Sequence, residues 1–414
     1  MKVLHLTTSL DGGAGIAAKR LHESLLKNDI DSKMLVLKSK SLLKSDISIY
    51  KSERKIRRIN KAINFVNKLT PLKYFRFLNH CKDVEGHFEI FTTSKTTFRV
   101  EKTKCFQEAD IIHLHWVSNF INFTTFFKAL AKEGKCVVWT FHDMNPFMGG
   151  FHYLEDRARN PQLKILDKWL QRCKEKAYSS ISKKNLRVIC LNHWMKSIFE
   201  NSGVLKDVGV CIVPNSIDFQ TMQRHEKHSA RNKLLIGECE KVVLFGSQSL
   251  SNYRKGFDLL LLALEELKRK GVNFTLLTFG REDSKLLSGL GMRVISMGVI
   301  SDPALLSIIY SAADLFVLPS REDNLPNVML ESWACGTPVV SFSNGGMVEY
   351  IKDGFNGILI DEISGTSLAR GIKCALTDHQ WLGRDIRSWA EREFSPSLIS
   401  DRVIGEVYGT FKNC

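Results

Sequence analysis

Short apolar runs alternate with helix-period stretches along the whole chain, and the alternation starts afresh once. The first series reads KVLHLT at 2–7, a helical pattern from Ile16 to Leu26, and KMLVLK at 33–38. It continues with DIIHLH at 110–115, CVVWTF at 136–141, RVICL at 187–191 and GVCIV at 209–213. Strands that alternate with helices pair in parallel, because each crossover helix returns the chain to the same end of the sheet. From Pro214 to about Lys233 the composition turns polar and charged, which marks a boundary. The pattern then restarts with KVVLFG at 241–246, a helix from Lys255 to Lys270, FTLLTF at 274–279, MRVISM at 292–297, DLFVLP at 314–319 and PVVSF at 338–342. This predicts an α/β protein of two Rossmann-like domains facing each other across a cleft, over 1–213 and 214–395. A helix in 396–414 is expected to pack back toward the first domain. A chain of 414 residues fits two cores better than one.

The net charge of +15 is concentrated. Residues 38–82 hold 13 Lys and Arg against Asp46 and Glu53, so this segment alone carries +11. Within it Ile56, Ile59, Ile63, Val66 and Leu69 recur at helical spacing amid cations. Such a helix either lies on an anionic membrane surface through Arg57, Arg58 and Lys61, or packs its apolar stripe on the first domain with its charges solvated. No run of ~20 apolar residues stands anywhere, and none of signal-peptide length near Met1. The ten cysteines show no CxxC pair and no zinc-ligand spacing. A reduced, cytoplasmic chain with peripheral membrane contact is the expectation.

In parallel α/β sheets ligands bind beyond the carboxyl ends of the strands. After the first strand comes Asp11-Gly12-Gly13-Ala14-Gly15, where glycine lets backbone amides approach an anionic or sugar ligand; a tight turn without ligand is the alternative. The second strand ends in Lys38-Ser39-Lys40, without the acidic residue a dinucleotide needs for its ribose. His113 and His115 share one side of a strand, but no third ligand stands at motif spacing, so a hydrogen-bonded role for His113 is expected over zinc. His142 falls where its strand meets the expected cleft, and Asp143 either orients its imidazole or caps the loop. Arg254 and Lys255 precede a helix, where two cations oppose the macrodipole and an anion such as phosphate offsets them; a solvated turn with a flexible lysine is the alternative. Between Pro326 and Gly336 a short helix is expected, with Glu331 among Met329, Leu330, Trp333 and Ala334. A carboxylate buried there requires donors, and the two hydroxyls of a ribose supply them; the alternative is an exposed helix face.

KGFDLLLLAL, SAADLFVLPS, the acids before LESWACGTPVVSF, Gly345-Gly346 with Glu349, and GFNGIL follow one another in the second half. With the glycine loop, DIIHLHW and WTFHDMNPF of the first half, they make the chain resemble the retaining nucleotide-sugar glycosyltransferases of family 4, which have the GT-B fold. The likeness is to the branch that builds bacterial surface polysaccharides. It implies transfer of a sugar, a hexose above all, from a nucleoside diphosphate sugar to a saccharide or lipid-linked saccharide acceptor, with retention and without a cofactor or metal. Residue by residue, it implies that Glu331 holds the donor ribose, that Asp323 takes the place of the first glutamate of the paired-acid motif, and that Lys255 grips the diphosphate. His142 matches the histidine facing the reacting sugar, and Gly13 the glycine beside the diphosphate; the main-chain amides of Gly345 and Gly346 are expected on the leaving group. Two departures stand out: Asp323 is shorter than glutamate, and Ser247 replaces a frequent arginine, which leaves Arg254 or Arg281 as the second cation. A nucleotide-sugar epimerase of the same fold, and a basic nucleic-acid-binding protein, are the competing classes; no RNP-like or helix-turn-helix motif supports the latter.

Overall fold

The computed structural model describes residues 1–40, 43–51, 86–249, 252–281 and 290–411. Arg57, Arg58, Lys61 and most of the basic segment 38–82 lie outside the described residues. The chain divides into one unit of Met1–Pro214 with Ile399–Cys414 and a second of Asn215–Leu398.

In the first unit β1 (Lys2–Ser9), β2 (Asp31–Lys38), β3 (Ile47–Ile49), β4 (Ile111–Leu114), β5 (Cys136–Phe141), β6 (Leu186–Cys190) and β7 (Gly209–Ile212) form a parallel sheet in the order β3-β2-β1-β4-β5-β6-β7. Helices cover both faces of such a sheet, so its central strands are apolar on both sides. All six residues of β5 are buried, as are all four of β4, including His113. Helix α1 (Gly13–Lys27) follows β1, and α2 (Lys164–Tyr178) follows β5. The chain returns to this unit at its end: Ile399, Val403, Val407 and Tyr408 pack with Val3, Leu21, Leu25, Ile111 and Val138. Arg402 ties this tail to β7 by donating to the Ile212 carbonyl at 2.7 Å.

The second unit holds β8 (Val242–Ser249), β9 (Thr275–Arg281), β10 (Val294–Ser296), β11 (Leu315–Leu318), β12 (Val339–Phe342) and β13 (Gly357–Ile360), parallel in the order β10-β9-β8-β11-β12-β13. Helix α3 (Phe257–Arg269) follows β8, and α4 (Asn327–Ala334) follows β11. In each sheet the strand order reverses direction once, between β1 and β4 and between β8 and β11. A crevice opens at such a switch point because the flanking crossovers leave on opposite faces.

Among the described residues seven cysteines are free thiols. Among the described residues no helix is long and apolar enough to cross a membrane.

Candidate active-site residues in the two units

The second unit gathers charge at its switch point. Lys255 ends a 3-10 turn, Tyr253–Lys255, beyond β8, and Asp323 stands on the loop beyond β11. The Lys255 ammonium donates to Asp323 Oδ2 at 2.5 Å, and the Arg254 guanidinium lies 3.3 Å from Oδ1. Arg254 also donates to the Glu322 carbonyl at 2.9 Å and is only 4% exposed. Burial pushes the Asp323 carboxyl up, but Lys255 and Arg254 outweigh it and hold the group below the ordinary carboxylate range. Of the two arginines left open by the sequence, Arg254 is the one at this cluster. Gly256 makes the approach possible: at φ +69° a side chain there is strained, and a Cβ would fall 1.8 Å from the Pro319 carbonyl oxygen.

Helix α4 is buried from Met329 to Ala334, so it is apolar on every side and belongs to the interior. Glu331 is 7% exposed, which excludes the exposed-face alternative. Gly345 and Gly346 open a 3-10 turn, Gly345–Glu349, beyond β12. The Gly346 amide donates to the Asp323 carbonyl at 3.0 Å, which corrects the expectation that it points at a leaving group. Gly345, at φ +64°, sits so close to the same carbonyl that a Cβ would meet it at 2.4 Å. Both glycines therefore brace the loop that carries Asp323.

In the first unit Gly13 is the exposed first residue of α1, whose N-cap Gly12 offers no side-chain acceptor. His142 follows β5 and is half-buried. Its Nε2 lies 3.1 Å from His115 Nδ1, and His115 Nε2 lies 2.9 Å from His5 Nδ1. His113 bonds Tyr408 Oη at 2.7 Å and Thr140 Oγ1 at 2.8 Å, the hydrogen-bonded role expected of it. Burial holds His142 down at about 4, only partly opposed by Asp143, and brings His113 down to about 3. All these imidazoles are neutral near pH 7.

Sequence reasoning missed His5. It is the β1 residue paired with His113 on β4, so the signal lay in the strand order, which makes β1 and β4 neighbours. It supplies the third histidine whose absence argued against zinc, and the ligand atoms of His5, His113 and His115 lie within 4.8 Å of one another. Yet the rings of His113 and His115 stack 4.3 Å apart at 19°, and those of His5 and His115 5.2 Å apart at 21°. A metal lies in the plane of each imidazole it binds, and near-parallel stacked planes share no such point.

Asp143 serves the loop rather than His142. It accepts from Trp116 Nε1 at 2.7 Å, His152 Nδ1 at 2.6 Å and the Asn145 amide at 3.0 Å. Beneath that loop Lys174 of α2 donates to Asn145 O, Asn145 Oδ1 and Met148 O at 2.5–3.1 Å. Burial lowers Lys174 to about 7 against the pull of Asp143 and Asp167. An unfolded lysine titrates near ~10.4, so between these values the unfolded chain binds a proton that the folded chain does not. Stability therefore rises with pH across this window. Melting followed from pH 7 to 9 should show this positive slope in the parent and lose it in Lys174→Met; an unchanged slope in the variant would assign it elsewhere.

Residues 240–378 match the family described as glycosyl transferases group 1. The D-inositol 3-phosphate glycosyltransferase of Segniliparus rotundus is 32% identical over 160 residues, 36% of this chain and 35% of that protein. The lipopolysaccharide 1,2-N-acetylglucosaminetransferase of Salmonella typhimurium is 27% identical over 244 residues, 55% of this chain and 62% of that protein. The chain thus spans less than two thirds of the length of either relative. HepE of Anabaena, solved in complex with UDP-glucose, superposes with a TM-score of 0.68 at 16% identity, over 99% of this chain and 100% of that one. The fold of the chain is that of the GT-B glycosyltransferase structures.

Proposed function

We propose that the chain is a glycosyltransferase that moves a hexose from a nucleoside diphosphate sugar to a saccharide acceptor with retention, in the assembly of a bacterial surface polysaccharide. The observation that carries this reading is the cluster of half-buried Lys255 with buried Arg254 and Asp323 at the switch point of the second unit, with Glu331 buried eight residues after Asp323. That stretch falls inside the glycosyl transferases group 1 match. In the reading proposed here Glu331 accepts from the donor ribose, and Lys255 turns from Asp323 to the diphosphate. As the glycosidic bond breaks, negative charge collects on the leaving diphosphate, where fixed cations lower the barrier most. Lys255 and Arg254 supply that charge, so the reaction is read as metal-independent. His142 is assigned to the reacting sugar and Gly13 to the diphosphate side of the acceptor unit.

The test is a panel of nucleotide sugars, led by UDP-glucose, scored for slow donor hydrolysis with and without EDTA. Turnover of one donor that survives EDTA is expected. No turnover of any donor would sink the reading, and loss of turnover in EDTA would sink its metal-free form. Epimerised sugar formed without acceptor would favour the epimerase instead.

The lipid-linked acceptor and peripheral membrane contact are also proposed. Besides the sequence pattern around Arg57, Arg58 and Lys61, the exposed face of α2 sets Ile165, 86% exposed, and Trp169 one turn apart among Lys164, Lys168 and Arg172. An apolar pair ringed by cations suits an anionic interface, each cation adding ~1 kcal/mol. Sedimentation with anionic vesicles is expected to weaken when Arg57, Arg58 and Lys61 are neutralised; equal binding by that variant would refute their role.

A further inference from the structure

Lys255 ends a turn whose own backbone does little to hold it. Tyr253–Lys255 is a 3-10 turn of three residues, a conformation with poor hydrogen-bond geometry. Gly256 follows at φ +69°, where the lack of a side chain leaves the backbone wide freedom. The lysine itself carries its charge on a flexible four-carbon stem. A cation meant for one diphosphate therefore needs the turn fixed from outside.

Arg321, on the loop beyond β11 two residues before Asp323, meets that need. Its amide donates to the Arg254 carbonyl at 2.8 Å, and its Nη1 donates to the Tyr253 carbonyl at 2.7 Å. The guanidinium lies 3.8 Å from the centre of the Tyr253 ring. Its two ends meet Asp258, in the first turn of α3, from Nη1 to Oδ1 at 2.7 Å and from Nη2 to Oδ2 at 2.6 Å. Asn344, beyond β12, donates to the Arg321 carbonyl at 2.5 Å. One residue thus joins the loops beyond β8, β11 and β12 and grips the chain on both sides of Gly256. Burial pushes the Asp258 carboxyl up, but Arg321 outweighs it and holds the group below the ordinary carboxylate range. A guanidinium matched to a carboxylate in this way brings a diphosphate little net charge. Its planar fork and stacked face fix geometry instead, which an ammonium does not reproduce.

We infer that Arg321 is a positioning residue: clamped to Asp258 and stacked on Tyr253, it sets the turn Tyr253–Lys255 against the loop of Asp323 and so fixes where the Lys255 ammonium stands for a nucleoside diphosphate. The diphosphate rests on the function proposed above; the clamp does not.

The experiment uses the full chain and two readouts, of which the first is UDP affinity by calorimetry. Arg321→Lys keeps the charge without the fork and is expected to weaken UDP about tenfold, the order of one hydrogen bond to a charged group. The Asp258 side chain is 53% exposed, so Asp258→Asn spares the core and leaves the guanidinium without its counter-charge. Positioning predicts weaker UDP in that variant, by roughly threefold to tenfold. A guanidinium that acts on the diphosphate as a cation predicts tighter UDP, and tighter or unchanged binding would overturn the inference. With Lys255→Met already present, Asp258→Asn should change UDP affinity by less than about twofold, because the clamp works through Lys255. An equal loss with and without Lys255 would reduce Arg321 to a merely structural role. The second readout needs no ligand: the rate at which acetic anhydride acetylates Lys255, followed by mass spectrometry. An ammonium held on Asp323 reacts slowly, and Asp258→Asn should speed the reaction about fivefold; an unchanged rate would remove the clamp. If that rate rises but the parent binds no UDP, the proposed function fails while the clamp stands. UDP binding with an unchanged rate fails the inference alone.

Discussion

Replacing Glu331 with alanine is expected to lower kcat/KM for the nucleotide sugar by roughly 10²–10⁴, with the fold intact. Glu331 is 7% exposed inside an apolar helix, where a carboxylate accepts strongly, and a ribose brings two adjacent hydroxyls as donors. Each hydrogen bond to a charged acceptor contributes about 1.5–3 kcal/mol. Losing both weakens the ground state and the transition state alike, so the loss should fall mainly on KM, with the rate at saturation less affected. Glu331→Gln keeps one acceptor oxygen and the side-chain volume, and should lose about 10–100-fold. Steady-state kinetics on the donor found in the panel measures both variants. Should Glu331→Gln use every donor as well as the parent does, the ribose lies elsewhere. Circular dichroism separates this from misfolding, since the helix keeps its ladder through the Glu331 carbonyl to the Cys335 amide.

What could be read before folding follows from the physics of each element. β5 was legible to the residue, because a central parallel strand is apolar on both faces and CVVWTF is an apolar run broken only by Thr140. The short strand β3 at the sheet edge, three residues long and two of them exposed, carries no such run and was not seen. Asp323 was a candidate through the family resemblance and Lys255 through its place before a helix, but their mutual salt bridge was not legible, since it depends on β8 and β11 being neighbours. The choice between Arg254 and Arg281 was open for the same reason: sequence position does not give side-chain direction. Gly346 was misread because a glycine amide beside a strand end looks free until the carbonyl of Asp323 is seen to take it. His5 looked like one polar residue in a strand; its meaning came only from the strand laid beside it.

Asp323→Asn is expected to destabilise the protein by about 3 kcal/mol, the cost of leaving buried Arg254 and half-buried Lys255 without this counter-charge. Asp323 is 6% exposed and faces Lys255 at 2.5 Å and Arg254 at 3.3 Å, so the amide replaces an anion that lies on both cations. Removing Lys255 as well, in Asp323→Asn/Lys255→Met, takes away one of the stranded charges and should recover part of that loss, because contacting residues couple. Activity should not return with it, since the double variant has no lysine for the diphosphate. Asp323→Glu keeps the charge and should keep most of both. Denaturant melts of these proteins together with Lys255→Met alone close the stability cycle, and a melt with UDP adds a further reading. A bound diphosphate supplies the anion that asparagine lacks, so UDP should raise the midpoint of Asp323→Asn more than that of the parent. An Asp323→Asn variant as stable as the parent would show that solvent already compensates these cations. A UDP shift no larger than the parent's would mean that the diphosphate does not sit on Lys255 and Arg254, and the leaving-group role assigned to them would fall with it.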